Sequence, residues 1–404
     1  MGMLKGIRVL ELAGFITGPY TGMLLADLGA EVIKVEQPGH GDPFRAWGGS
    51  QLSPHFCAYN RNKKSITLDL RSEAGREVFY KLATTADVVI ENYRPGVAEK
   101  LRVGYEQLSA LNPRLVYCSI TAFGPDGPLA DRPGFDTVAA GTSGFLSLLA
   151  SDTDPAPRGP AMCDAVTGLT AAYGVLAALV QRERTGKGCH IATSLLQSTL
   201  SFLAEPFSYL FAHGTAPGVY TRAKASQAYI FWCRDSKRLA VHLSSPQKFW
   251  EALARCLGRP DLLSDDRFKD YPSRIRHYDD IHRTLAPVFL EAPRDYWLER
   301  LAAYDVPATP VYTLEEVLHN SQVQHLHLIG STYHPVFGEL RTVANPLRVD
   351  NQPVNRAEPP PALGEHTAAV LAELGYSETD MAVLRRAGVI GGEPFPRGRN
   401  EGGD

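Results

Sequence analysis

The sequence lacks the features that mark several large classes of protein. Its 41 Lys and Arg nearly balance its 44 Asp and Glu, which leaves a formal net charge of −3, so no global positive field attracts nucleic acid or an anionic membrane. The six cysteines stand singly without a CxxC pair, which argues against a zinc site or disulfide framework. Hydrophobic residues make up 44% and charged residues 21% of 404, a mixture typical of globular chains and not of disordered or fibrous ones.

Targeting and membrane signals are also missing from the sequence. Residues 1–12 show no basic start followed by an apolar stretch and a small-residue cleavage site. The most apolar long stretch, residues 195–212, is interrupted by Glu205 and Pro206, so it indicates a buried helix and not a membrane span. We therefore expect a cytoplasmic protein that binds neither a membrane nor nucleic acid.

Several catalytic and cofactor motifs are absent. There is no GxSxG elbow and no recognisable cysteine nucleophile signature. The first glycine-rich loop places its glycines at Gly14, Gly18 and Gly22, which does not match the GxGxxG pattern of dinucleotide sites. We expect no bound metal, because three histidines cluster without a carboxylate or cysteine partner at a recognised spacing: His319, His325 and His327.

What the sequence does contain is a regular alternation of strand and helix patterns. Strands are predicted at residues 8–12, 32–35, 65–70, 88–90, 115–120 and 189–193, with helices between them and a long one at 164–184. This rhythm predicts an α/β fold with a mostly parallel, doubly wound sheet. We predict a large Rossmann-like domain at 1–206, a linker at 207–227, a smaller α+β domain at 228–335, and a returning arm with C-terminal helices at 336–404.

Two groups of residues are candidates for binding an anionic ligand. Pro19 lies in the first turn of a predicted helix, whose N-terminus would face the carboxyl edge of the sheet, where ligands usually bind. Basic residues within 60–65 and 91–102, with Tyr93 as a stacking surface, would hold a nucleotide with phosphates. The alternative is that Lys63, Lys64 and Arg71 are solvated surface charges.

Asp164 stands before the longest helical pattern of the chain. One interpretation is a helix N-cap, a common role for aspartate. The other is a carboxylate nucleophile, held ionised and oriented by the positive end of the helix. Both roles are compatible with one residue.

Taken together, these segments resemble the class III coenzyme A transferases, the CaiB/BaiF family of formyl-CoA, carnitine and related acyl-CoA transferases. The resemblance covers nearly the whole chain. Its strongest pieces are GIRVLEL at 6–12, LLADLGAEVIKVE at 24–36, NRNKKS at 60–65, ENYRPG at 91–96, LNPRL at 111–115, and Asp164 before Gly168.

The resemblance implies a Rossmann-like large domain, a small domain and two subunits interlocked as a homodimer. It implies transfer of CoA from an acyl-CoA to a carboxylic acid through an aspartyl-CoA thioester on Asp164, with CoA as a substrate and no tightly bound cofactor. The CoA contacts of the family fall on Ile16, Thr17, Leu68, Arg71, Asn92, Tyr93 and Lys100.

Some positions depart from the family pattern. An arginine that holds the nucleotide in some relatives falls on Gln37, and the glycine-rich loop that closes over the intermediate has no counterpart in residues 224–228. The 2-methylacyl-CoA racemases share the fold, but their histidine falls on Phe135 and their glutamate on about Ser245, and neither residue is a base. We therefore favour a transferase over a racemase; a CoA-binding protein without catalysis is the third alternative.

Overall fold

The computed structural model describes residues 2–47, 52–150, 156–354 and 358–391. The chain divides into two compact units. The first comprises the described parts of 1–146, 156–204 and 326–404, and the second those of 147–155 and 205–325. The candidate site residues lie in the first unit, with the exception of Ser245.

A six-stranded parallel sheet forms the centre of the first unit. Its strands are β1 Arg8–Leu12, β2 Glu31–Glu36, β3 Lys63–Thr67, β4 Val88–Glu91, β5 Val116–Thr121 and β6 His190–Ser194. Their spatial order is β3-β2-β1-β4-β5-β6, the order of a doubly wound Rossmann sheet. The predicted α/β fold with a parallel sheet is confirmed.

Helices cover both faces of this sheet. The helices of the first unit that precede the second unit are α1 Thr17–Asp27, α2 Pro54–Asn60, α3 Glu73–Thr85, α4 Val97–Lys100, α5 Tyr105–Leu111, α6 Asp136–Thr142, α7 Met162–Thr185 and α8 Leu195–Phe202, with 3₁₀ turns at Pro43–Ala46 and Phe145–Leu148. On one face Leu10 and Ile33 pack in a core with Phe79 of α3. On the other Val9 packs in a core with Val175 of α7. Burial on both faces explains why the central strands β4 and β5 consist mostly of apolar residues.

Among the described residues, α7 is the one helix that is long and apolar enough to cross a membrane by length and composition. Its buried residues include Ala171, Val175 and Ala178, which belong to the core on one face of the sheet. This packing accounts for the apolar composition of the helix.

The second unit has its own antiparallel sheet and core. Buried side chains such as Trp250, Phe268 and Phe289 form that core. Its elements are α9 Ala204–His213, α10 Thr221–Ser226, β7 Ala228–Trp232, β8 Arg238–His242, α11 Pro246–Cys256, α12 Asp261–Ser264, α13 Tyr271–Arg276, α14 Tyr278–Phe289, α15 Arg294–Ala303, β9 Ala308–Val311, α16 Leu314–Leu318 and α17 Ser321–His325.

The chain then returns to the first unit. Two antiparallel pairs and two helices complete it: β10 Ile329–His334, β11 Gly338–Val343, β12 Arg348–Val349, β13 Gln352–Pro353, α18 Thr367–Glu373 and α19 Glu378–Arg386. Val370 of α18 and Leu384 of α19 pack in the same core as Leu10 of the parallel sheet. The C-terminal helices therefore cover one face of the sheet.

The structure differs from the sequence predictions around residue 204. The stretch 195–212, predicted as one buried helix, forms α8 and α9 with a break at Leu203, and no residue of α9 is buried. Pro206 is tolerated because it lies in the first turn of α9, where no intrahelical N–H bond is lost. Helices α9 and α10 occupy much of 207–227, whose composition predicts an irregular linker. The predicted domain boundaries themselves stay a prediction.

Candidate active site

The candidate site lies at the carboxyl edge of the parallel sheet, between β1 and β4. This is the point where the strand order reverses, and ligands of doubly wound sheets bind in the crevice there. A cavity of about 470 Å³ opens at this edge. Its polar lining residues are Thr17, Thr121, Asn92, Tyr93, Arg94, Arg132 and Asp164. Larger apolar side chains that line it are Phe15, Pro43, Val97, Ile120, Phe135 and Leu195.

Asp164 is the third residue of α7, and the N-cap residue is Ala161. The N-cap interpretation of Asp164 is therefore wrong. The backbone N–H of Asp164 donates to the Asp136 carboxylate at 3.0 Å, so that a neighbouring carboxylate satisfies this helix-end donor. The Asp164 carboxylate accepts a hydrogen bond from the Thr17 hydroxyl of α1. The Asp164 side chain therefore does not cap the helix, and it lines the cavity.

A close helix crossing brings Thr17 to Asp164. Gly168 lies one turn after Asp164, and a Cβ atom there would lie 2.8 Å from Cδ1 of Tyr20 and 3.1 Å from the Thr17 carbonyl oxygen. The Thr21 hydroxyl donates to the Gly168 carbonyl at 3.2 Å. The missing side chain of Gly168 therefore allows α1 and α7 to approach closely enough for the contact at their N-terminal ends.

The environment of Asp164 makes it a stronger base than an ordinary aspartate. Burial raises the pKa of its carboxyl group to about 6, the hydrogen bond from Thr17 opposes this rise, and the negative charge of Asp136 adds to it. At neutral pH the group is still mostly ionised. A carboxylate with a raised pKa is more nucleophilic than an exposed one, provided that it stays deprotonated.

This pKa predicts an acid limit on activity. A nucleophilic carboxylate must be ionised, so kcat/KM should fall tenfold per pH unit below about pH 6, the pKa of Asp164. The measurement is kcat/KM for the acyl-CoA between pH 4.5 and pH 8 with protein stability checked at each pH. An acid limit near the ordinary aspartate pKa of about 3.9 would contradict the role given to burial.

Three of the predicted CoA contacts line the cavity: Thr17, Asn92 and Tyr93. The Asn92 amide accepts from the Gly14 N–H at 3.0 Å and donates to the Gly14 carbonyl at 2.8 Å. The Tyr93 N–H donates to the Glu91 carboxylate at 2.8 Å, and burial raises the pKa of Glu91 to about 7. These bonds fix the loop that follows β4 at the edge of the site.

The other four predicted CoA contacts are not among the lining residues of the cavity. Ile16 is the N-cap residue of α1, directly before Thr17. Leu68 is buried just beyond the end of β3. Arg71 is exposed and pairs with Asp69 at 2.9 Å, and Lys100 ends α4 on the surface. The assignment of all seven residues to CoA stays a prediction.

Two arginines line the cavity; Arg94 belongs to the basic residues of 91–102 that the sequence offers as candidates, whereas Arg132 was missed. In the described part of the chain neither side chain forms an ion pair. Their guanidinium groups would attract an anionic substrate, since arginine suits both carboxylates and phosphates. A signal for Arg132 is present in the sequence, because it lies in the Gly/Pro-rich loop that leads into α6.

The prediction that Lys63 is a solvated surface charge is wrong. Its side chain is fully buried, and its ammonium group contacts the Glu11 carboxylate at 2.8 Å and the Pro19 carbonyl oxygen at 2.8 Å. Burial lowers its pKa to about 8. Lys64, the next residue, is partly exposed and pairs with Glu31 at 2.6 Å. Lys63 thus supports the fold beneath the site and is not available to bind phosphate.

The positions that depart from the family pattern have these surroundings. The Phe135 ring is exposed and packs edge-on against Phe15, with 5.8 Å between centroids. Gln37 is exposed directly after β2. Ser245 precedes α11, and residues 224–228 belong mainly to α10 and β7.

In the ranges that the structure describes, no three His, Cys, Asp or Glu side chains are grouped to hold a metal ion.

Comparisons with known proteins identify the family of the chain. Residues 4–367 match CoA-transferase family III. The chain is 34% identical over 396 residues to succinyl-CoA:glutarate CoA-transferase of Mus musculus, covering 96% of this chain and 91% of that protein. It is 32% identical over 394 residues to succinyl-CoA–D-citramalate CoA-transferase of Chloroflexus aurantiacus, covering 96% and 98%. The crystal structure of a CaiB/BaiF family protein from Brucella suis superposes with a TM-score of 0.83 at 34% identity, covering 92% of this chain and 99% of that one. The chain therefore belongs to CoA-transferase family III and is a CoA-transferase.

Proposed function

We propose that the enzyme transfers CoA from an acyl-CoA to a carboxylic acid through an aspartyl-CoA thioester on Asp164. The observation that carries this proposal is the Asp164 carboxylate itself. It lines the cavity at the switch point of the sheet, its pKa is raised to about 6, and the Thr17 hydroxyl orients it. A basic, oriented carboxylate in a cavity is suited to attack a thioester carbonyl.

The reaction proceeds in two half-reactions that use the same chemistry. The Asp164 carboxylate attacks the thioester carbonyl of the donor, the C–S bond breaks, and a mixed anhydride and CoA thiolate form. The thiolate then attacks the aspartyl carbonyl, which releases the donor acid as a carboxylate and leaves aspartyl-CoA. The acceptor carboxylate attacks this thioester and forms a second mixed anhydride. The released thiolate attacks the acceptor carbonyl, so that the new acyl-CoA leaves and Asp164 is regenerated as a carboxylate.

The substrates that we propose are succinyl-CoA as donor and a short dicarboxylic acid as acceptor. The two curated relatives described above carry succinyl-CoA in their names, and both name a dicarboxylic acid as acceptor. Arg94 and Arg132 line the cavity that contains Asp164. Positive charge there favours substrates that arrive as anions, which both the CoA phosphates and a dicarboxylate are.

Trapping of the covalent intermediate tests the proposed function. Enzyme incubated with succinyl-CoA and hydroxylamine should lose activity and carry an aspartyl hydroxamate on the peptide that contains Asp164, detectable by mass spectrometry. Hydroxylamine without succinyl-CoA should leave both activity and mass unchanged, because only the thioester or anhydride is electrophilic enough to react. Continued turnover without any modification of Asp164 would contradict a covalent route.

We also propose that the enzyme is a homodimer, as the family resemblance implies. Apolar side chains on α7 and α8 support this proposal, because they are exposed on the single chain: Leu169, Tyr173, Val180, Leu200 and Phe202. Exposed apolar side chains in this number on neighbouring helices are typical of an interface between subunits.

A further inference from the structure

The loop from β1 to α1, residues 13–16, is fixed by side chains from other elements. The Lys34 ammonium of β2 donates to the Ala13 carbonyl oxygen at 2.7 Å. The Asn92 amide, after β4, bonds both the N–H and the carbonyl of Gly14. The backbone that leads into α1 therefore depends on side-chain contacts from both neighbouring strands of the sheet.

Phe15, the next residue of the loop, has a left-handed backbone with φ of 64°. A residue with a bulky side chain rarely adopts this conformation. The Asp42 carboxylate accepts from the Phe15 N–H at 3.1 Å and from the Phe44 N–H at 2.9 Å. The Phe15 ring packs edge-on against Phe44 at 5.4 Å between centroids. A strained backbone persists only where the surroundings enforce it, and such residues cluster at functional sites.

Asp42 is held in turn by a buried series of charges. Its Oδ2 atom lies 2.8 Å from Nζ of Lys34, and Lys34 lies 2.9 Å from Oε1 of Glu11. Oε2 of Glu11 lies 2.8 Å from Nζ of Lys63, which donates to the Pro19 carbonyl. The four side chains alternate in sign and are all buried. They connect the start of the loop at residue 13 to the first turn of α1.

We propose that Asp42 is a positioning residue for CoA transfer, because by holding Phe15 in its left-handed conformation it places the Thr17 hydroxyl on the Asp164 carboxylate. The inference rests on the proposed role of Asp164 as nucleophile. Only Ile16 separates Phe15 from Thr17, so a rotation at Phe15 moves the first turn of α1. Without the donor hydroxyl the carboxylate loses its orientation, and its pKa rises, because the bond from Thr17 lowers it.

The other charged and titratable groups around Asp164 come from several elements. They are Tyr20 of α1, Tyr59 of α2, Tyr93 and Arg94 after β4, Arg132, Asp136 of α6 and the adjacent Cys163. No hydrogen bond or ion pair joins any of these residues to Asp42, whose partners are Phe15, Glu36, Phe44 and Lys34. A change in the pH profile on replacing Asp42 therefore reports the Thr17 contact.

The test compares Asp42→Ala, Thr17→Val and the double variant; alanine removes the oxygen that accepts from the Phe15 N–H, which asparagine would retain. Each single variant should lower kcat at least tenfold and move the acid limit of kcat/KM to higher pH, while the KM for acyl-CoA changes less than kcat does. The double variant should be no slower than the slower single variant, because both changes remove the same interaction. If the two fold-losses multiply, or if Asp42→Ala leaves the acid limit in place, Asp42 does not act through Thr17 and the proposal is overturned.

A second pair of variants leaves the buried charges intact. Asparagine adopts the left-handed conformation readily, whereas β-branched valine does not, and both remove the ring. Phe15→Asn should therefore have a kcat at least tenfold above that of Phe15→Val. Equal values, or a faster valine variant, would show that the backbone conformation at residue 15 does not matter and would overturn the proposal.

Hydroxylamine trapping of the unaltered enzyme separates this inference from the proposed function. If Asp164 is trapped and the variant effects multiply, only the role proposed for Asp42 is contradicted. If Asp164 is never trapped during turnover, the covalent mechanism is contradicted. The inference about Asp42 is then contradicted as well, because it rests on that mechanism.

Discussion

Replacing Asp164 by asparagine is expected to lower kcat by about 10⁴-fold or more, the loss typical of removing a covalent nucleophile. Asparagine keeps the shape of the side chain and an oxygen that accepts the Thr17 hydroxyl bond. It lacks the negative charge that attacks the thioester. Steady-state transfer from succinyl-CoA to glutarate measures kcat. Isothermal titration with CoA should give a Kd within about threefold of the unaltered enzyme, a difference of about 0.7 kcal/mol, because the substitution removes the nucleophile and leaves the other residues of the cavity unchanged.

Two further variants make this result specific. Asp164→Ala guards against slow deamidation, which would regenerate aspartate from asparagine and hide the loss. Glu183→Gln removes an exposed carboxylate near the far end of the same helix, where Glu183 pairs with Arg114 at 3.2 Å, and should leave kcat unchanged. Full turnover by Asp164→Ala would remove the basis of the proposed mechanism.

The second large effect concerns stability. Lys34→Met should lower the free energy of unfolding by about 3–5 kcal/mol, the cost of breaking a buried ion pair by removing one partner. Lys34 is completely buried, and its ammonium contacts Asp42 at 2.8 Å and Glu11 at 2.9 Å. Burial alone would lower the pKa of Lys34, but the charges of Asp42 and Glu11 raise it. Methionine matches the length of the side chain and leaves Asp42 as a buried carboxylate without its cation.

Urea unfolding followed by circular dichroism gives the measurement, with Lys64→Met as the matched control. Lys64 lies on the adjacent strand and pairs with Glu31 at 2.6 Å, but it is partly exposed, and pairs of this kind contribute about 0–1 kcal/mol. The two lysine variants should therefore differ by at least about 2 kcal/mol. Equal losses would show that the buried charges do not stabilise the fold more than surface pairs do.

Most of the large-domain fold could be predicted from the sequence, because strand patterns rich in β-branched and apolar residues alternate with helical patterns and are separated by glycine or polar residues. The strand predicted at 8–12 is observed at Arg8–Leu12. The strand predicted at 65–70 is observed at Lys63–Thr67, so that it begins two residues and ends three residues earlier. The error arises from Lys63, since a lysine in a strand indicates an exposed edge unless its buried partners are known. Those partners come from Glu11 and Pro19, far away in the sequence.

The chemistry of the site was predictable only in part. The position of Asp164 before a long helix pattern made it a candidate nucleophile. Its place in the first turn of α7 follows from Ala161 being the N-cap residue. Its raised pKa depends on burial and on Asp136, twenty-eight residues earlier in the sequence. The left-handed backbone of Phe15 leaves no signal in the sequence, because glycine or asparagine, the residues that usually mark it, are absent at that position.

The crossing of α1 and α7 at Gly168 limits which sequences can maintain this enzyme. Any side chain at residue 168 would have to displace Tyr20 or the α1 backbone, and the helices would separate by roughly the width of a methyl group. The hydroxyl of Thr17 would then no longer reach Asp164, although neither residue had changed. A substitution a full helical turn from the reacting carboxylate would thus impair catalysis through interhelical spacing alone.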